Sequence, residues 1–94
     1  MNGWKKIWDT EEKGLYKDNS FSFVDFEKED LYLLIQKSGP SGWYLYLFEH
    51  GSPRTVGWAT TKEKALEIAK FMMETDNFPP AHKYFNADLE LCKS

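Results

Sequence analysis

The stretch LYLLIQKSGPSGWYLYLFE, residues 31–49, decides the fold. It holds two apolar runs, LYLLIQK (31–37) and WYLYLFE (43–49), separated by SGPSG. Glycine, proline and serine are turn formers, each for its own backbone reason. The runs therefore read as antiparallel strands joined by a short loop. With Lys37 set opposite Trp43, Ile35 meets Leu45 and Leu33 meets Leu47 on one side, with Leu31 beyond. On the other side Gln36 meets Tyr44, Leu34 meets Tyr46, and Tyr32 meets Phe48. A slip of one residue would mix an aliphatic set with an aromatic one.

Beyond the hairpin, HGSP (50–53) is a second turn and RTVGWAT (54–60) a third strand, with Gly57 marking a bulge or a close approach. A helix follows. Thr60 and Glu63 fit a capping box, with Thr61 the alternative cap. KEKALEIAKFMMETD (62–76) carries Ala65, Leu66, Ile68, Ala69, Met72 and Met73 as one broad apolar stripe. Asn77 and the prolines at 79 and 80 stop it. An aliphatic stripe suits an aliphatic sheet face, so the helix is expected to lie across Leu33, Ile35, Leu45 and Leu47.

The flanks are less regular. In WKKIWD, Trp4, Ile7 and Trp8 have the spacing of a helical face over a window too short to decide. SFSFVDF alternates as a short strand does, and in the tail Leu89 and Leu91 alternate with Asp88 and Glu90 in the manner of an edge strand. The expected class is α+β. It comprises an antiparallel sheet of three to five strands with one main helix, about 62–76, on one face. Its 94 residues form a single domain over 1–94.

Aromatic residues make up 17% of the chain, enough for a core without staples. Fifteen acids against twelve bases leave a formal charge of −3, which does not favour general attraction to nucleic acid or anionic membrane. Cys92 is the only cysteine, so no internal disulfide forms. No apolar run approaches the roughly 18 residues of a membrane span. A cytoplasmic protein is expected.

The residues that carry chemistry are scattered. His50 lies in a turn and His82 follows two prolines, and neither has a partner at metal-ligand spacing. GSPRTVG does not open a helix and so fails as a phosphate loop. Asp25, Glu27, Glu29 and Asp30 lack calcium-loop spacing and read as a solvated connector. Lys62, Lys64 and Lys70 interleave with Glu63, Glu67 and Glu74, a pattern that supports the helix and makes no phosphate stripe. The expectation is a protein that is not an enzyme, with no cofactor and no metal.

The aromatic side remains: Tyr32, Leu34, Tyr44, Tyr46 and Phe48, joined by Trp58. It is a large apolar patch to leave wet on a monomer. The N-terminal segment or the tail, a second copy or another protein, and a flat ligand such as single-stranded nucleic acid are the three possible covers. GWYLYLF and VGWATTKEKALEIA, within residues 31–74, resemble small orphan accessory proteins of bacteriophages and mobile elements. That resemblance implies a short accessory protein that binds a host or phage protein. A looser likeness is to nucleic-acid-binding repeats that place an antiparallel sheet before a helix, from which the acidic balance departs. The expected function is a protein-interaction module, homodimeric or partner-bound, acting through Tyr32, Tyr44, Tyr46, Phe48 and Trp58. Binding of single-stranded nucleic acid by base stacking on the same side is the alternative.

Overall fold

The computed structural model describes residues 3–13, 22–38, 42–80 and 83–86. Its centre is the hairpin of β3 (Leu31–Lys37) and β4 (Trp43–Glu49), paired as the alternation requires, with Lys37 opposite Trp43, Ile35 opposite Leu45 and Tyr32 opposite Phe48. The amide of Ser38 donates to the Gly42 carbonyl at 2.8 Å and closes the loop end. Two tight turns extend the meander. Glu29, with φ 54°, turns β2 (Phe23–Lys28) into β3. His50 and Gly51, with φ 53° and 82°, turn β4 into β5 (Ser52–Ala59). Two successive left-handed residues match the right-handed twist of the strands they join.

The sheet has six strands in the order β1-β2-β3-β4-β5-β6, not three to five. The first five run antiparallel, whereas β6 (Phe85–Asn86) pairs in parallel with β5 at Gly57 and Trp58. The additional edge strand is β1 (Lys5–Asp9), followed by the single helical turn α1 (Thr10–Lys13). Its apolar spacing looks helical because the strand bulges. Lys6 lies opposite Phe26 but Trp8 lies opposite Asp25, which leaves Ile7 as the extra residue. Trp4 is consequently buried on the helix side, while Trp8 stacks on Phe23 with ring centroids 5.7 Å apart. The expected edge strand at Leu89 and Leu91 falls outside the described residues.

The main helix, α2 (Lys62–Thr75), covers one face. Ala65, Ile68, Ala69, Met72 and Met73 are buried there against Val24, Phe26, Leu33, Ile35, Leu45, Leu47 and Val56. Val56 is the extra residue of a second bulge, since Leu45 lies opposite Gly57 while Tyr46 lies opposite Thr55. A Cβ on Gly57 would sit 2.9 Å from Ile68 Cδ1. The glycine thus serves both the bulge and the close approach of helix to sheet.

Thr61, not Thr60, caps the helix. Its Oγ1 accepts from the Lys64 amide at 3.2 Å. The capping hydroxyl must stand three residues before the amide it receives, and β5 runs to Ala59, so the chain needs both threonines to leave the sheet. Thr61→Ala is expected to cost about 1 kcal/mol and Thr60→Ala less, measured by urea denaturation. The reverse order would contradict this cap.

Polar side chains tie both ends of α2 to the β1 side of the sheet. At its start, Lys62 Nζ lies 3.3 Å from Asp9 Oδ1 and 3.0 Å from Glu11 Oε2. At its end, Asp76 holds a left-handed C-cap. Its carboxylate accepts from the Trp4 indole at 3.2 Å and from Lys28 Nζ at 2.8 Å. Burial acts to raise the Asp9 carboxyl, but the Lys62 hydrogen bond and charge, the Glu11 amide and Lys6 outweigh it and hold it below the usual aspartate range. A carboxyl lowered by folding stabilises at pH above its unfolded value, and that stabilisation fades as pH falls through the folded value. Asp9→Asn is therefore expected to lower stability at neutral pH and to flatten its loss on acidification. A pH series of thermal melts would measure both, and an acid limb as steep as that of the wild type would refute this role.

Candidate interaction face

The alternation that buries one set of side chains against α2 turns the other set outward. Antiparallel registers align that second set in rows. Phe23, Gln36, Tyr44 and Trp58 form one row. Trp8, Asp25, Leu34, Tyr46 and Thr55 form the next. Glu27, Tyr32, Phe48 and Pro53 form the third, with Lys5 opposite Glu27 at the rim.

All of Tyr32, Tyr44, Tyr46, Phe48 and Trp58 thus lie on one face, opposite α2. Tyr44 and Tyr46 hold their rings 6.1 Å apart at an interplanar angle of 22°. Tyr44, Tyr46, Phe48, Leu34 and Trp58 are half-buried, and Tyr32 is 42% exposed. The helix-side residues opposite them in the pleat are closed off almost completely. Among the described residues no helix or second sheet lies over this side.

The charges on the face run one way. β2 to β5 contain three bases, Lys28, Lys37 and Arg54, and register places all of them on the helix side. Lys28 binds Asp76, Lys37 lies 5.9 Å from the Trp43 ring centroid, and Arg54 pairs with Glu49. The aromatic side of these four strands carries two acids, Asp25 and Glu27, and no base.

Asp25 corrects the reading of the acidic cluster as a solvated connector. Glu29 and Asp30 do form an exposed turn, but Asp25 and Glu27 are strand residues within β2. Asp25 Oδ1 is shut off from solvent, and no hydrogen-bond donor among the described residues reaches it. Burial pushes the Asp25 carboxyl up, the neighbouring Glu27 charge adds to this, and the Phe26 amide opposes it. A carboxyl raised by folding removes stability as pH rises through its folded value, the opposite of Asp9. Asp25, Tyr32, Leu34 and Phe48 line a hollow of about 190 Å³ on the face.

Sequence reasoning placed the rings correctly on one side and missed Asp25. The missing signal is the alternation of Phe23, Asp25 and Glu27 with Val24 and Phe26. Extended through the two-residue turn at Glu29 and Asp30, it sets Asp25 beside Leu34.

The other cavity of note, about 340 Å³, lies on the helix side between the end of α2 and β6, where Phe71, Phe78, Pro80, Tyr84 and Phe85 meet. Among the described residues no group of three or more His, Cys, Asp or Glu side chains could hold a metal ion. No helix among them is long and apolar enough to cross a membrane. Comparison of the chain with protein-family models, with curated proteins and with solved structures finds no match.

Proposed function

We propose that the chain is a non-enzymatic protein-interaction module, an accessory protein in the manner of the small phage proteins it resembles, and that its working surface is the aromatic face. The observation that carries this reading is the asymmetry of the sheet. One face is closed by α2, while the other presents Tyr32, Tyr44, Tyr46, Phe48 and Trp58 with no cover among the described residues. Tyrosine and tryptophan supply a large apolar body with a polar tip, the composition of a surface that is alternately wet and bound. Stacking of single-stranded nucleic acid asks for rings together with cations that track the phosphates. The bases of β2 to β5 lie on the helix side, which favours a protein partner over that alternative.

Tyr46 is the central ring, flanked by Leu34 and Thr55 across the strands. Tyr46→Ala is expected to leave urea unfolding cooperative while abolishing partner capture or self-association, with a binding loss of about 2 kcal/mol or more. Phe71→Ala, on the exposed side of the helix, is the control and should leave binding unchanged. A Tyr46→Ala chain that fails to fold would make the face an internal core. Tight oligonucleotide binding that falls steeply with salt would transfer the face to nucleic acid.

A further inference from the structure

The hollow at the centre of the aromatic face is unusual in its chemistry. Among the described residues, its lining is Tyr32, Leu34 and Phe48, which are apolar or aromatic, and the carboxylate of Asp25. One oxygen of that carboxylate is buried, and no donor among the described residues reaches it. A carboxylate so placed carries a charge whose desolvation is uncompensated, and a cation held in the hollow beside it would offset that cost. Glu27 stands two residues along the same strand on the same side and adds negative potential. No base of β2 to β5 shares the face, and Lys5 at the β1 rim lies opposite Glu27 rather than Asp25.

We infer that the face receives an arginine side chain of a protein partner, its guanidinium seated between Tyr32, Leu34 and Phe48 with its charge against Asp25. This rests on the reading of the face as a protein-binding surface and names the chemistry of the partner.

Three arguments select this occupant. Charge complementarity asks for a cation, because Asp25 and Glu27 stand among rings to which β2 to β5 contribute no base. Aromatic faces attract cations through their quadrupole within about 6 Å of the ring centroid, arginine more often than lysine. The guanidinium is also flat and weakly hydrated, so it stacks on a ring and still meets a carboxylate. Size is the third argument. A hollow of about 190 Å³ is smaller than the roughly 300–1,000 Å³ that encloses a small-molecule ligand, and suits one side chain. A second copy of the chain is disfavoured on the same grounds. Closing two such faces together would bring Asp25 and Glu27 of both copies into one apolar seam, where β2 to β5 offer nothing to neutralise them.

The test is a nuclear magnetic resonance titration of the full chain with a short acetylated peptide alternating leucine and arginine. It is matched by the same peptide carrying citrulline, the neutral isostere of arginine. The arginine peptide is expected to shift the signals of Asp25, Tyr32, Leu34 and Phe48 in a saturable manner. It should bind about tenfold or more tightly than the citrulline peptide, which is the scale of one modest charge interaction. Asp25→Asn should erase that preference, leave citrulline binding unchanged, and melt no lower than the wild type, since it removes an uncompensated charge. Equal binding of the two peptides on these residues, or a preference that survives Asp25→Asn, would overturn the inference and leave the face as a protein interface. So would a Tyr46-dependent dimer, seen by light scattering, that ignores both peptides. If neither peptide moves the face and Tyr46→Ala unfolds the chain, the inference and the interface reading both fall.

Discussion

Gly42→Ala is expected to destabilise the protein by about 3–5 kcal/mol, two penalties acting together. Gly42 leads into β4 with φ +132°, a backbone conformation that a side chain strains. It also lacks room. A Cβ at this position would lie 2.6 Å from the Ala59 carbonyl oxygen and 3.2 Å from the Trp58 indole. The carbonyl belongs to the β5 backbone where Ala59 lies opposite Trp43, so it cannot retreat without opening the sheet. Gly51 provides the control. Its φ of +82° is also left-handed, but no atom lies within 4 Å of its added Cβ. Gly51→Ala should therefore cost only the backbone term, about 1 kcal/mol. Urea denaturation of the two variants separates close approach from backbone strain. Equal losses at the two positions would show that the contact with Ala59 does not matter.

This glycine also shows how far the sequence can be read. SGPSG marked a turn between two strands, and strand alternation with the loop length was enough to pair Lys37 with Trp43 and every residue beyond them. The contact of Gly42 with Ala59 joins two strands whose pairing is shifted by the bulge at Val56; Gly57 marks a bulge or a close approach in the sequence, but nothing local says which residue is the extra one. The same cause hid β1. One inserted residue, Ile7, converts a two-residue repeat into spacing that imitates a helix. β6 escaped notice because two residues are too few to show any period. The helix was legible because its stripe, from Ala65 to Met73, spans more than two turns, yet its first residue was ambiguous, because two adjacent threonines each satisfy the residue preference of a cap. On the aromatic face the rings announced themselves by alternation. The one-sided charge is a finding of the structure: register sets Lys37, opposite Trp43, and Arg54, opposite Leu47, on the aliphatic side. Asp25 was obscured by its neighbours. Four acids in six residues suggest a solvated run, and only the strand pairing divides them into two turn residues and two face residues.

The adjacent residues Leu45 and Tyr46 test that two-sidedness most directly. Leu45 is fully buried, opposite Ile35 and Gly57, with its Cδ1 3.4 Å from the position of an added Gly57 Cβ. Strands hold it from both sides and α2 closes over the layer that includes Ile68 and Met72, so the space left by a truncation has little freedom to collapse. Leu45→Ala is expected to cost about 3–5 kcal/mol, the lost transfer energy plus an unfilled cavity. Tyr46 has the larger side chain but is only half-buried, and its ring rests on neighbours with no layer above them among the described residues. Its truncation opens a dent that water fills, so Tyr46→Ala should cost less than half as much. The larger side chain thus contributes less to stability, an order that residue volume alone would reverse. Urea unfolding of the two variants under one condition decides it. If Tyr46→Ala proves as costly as Leu45→Ala, the aromatic side is a second core, and its rings hold the protein together instead of meeting a partner.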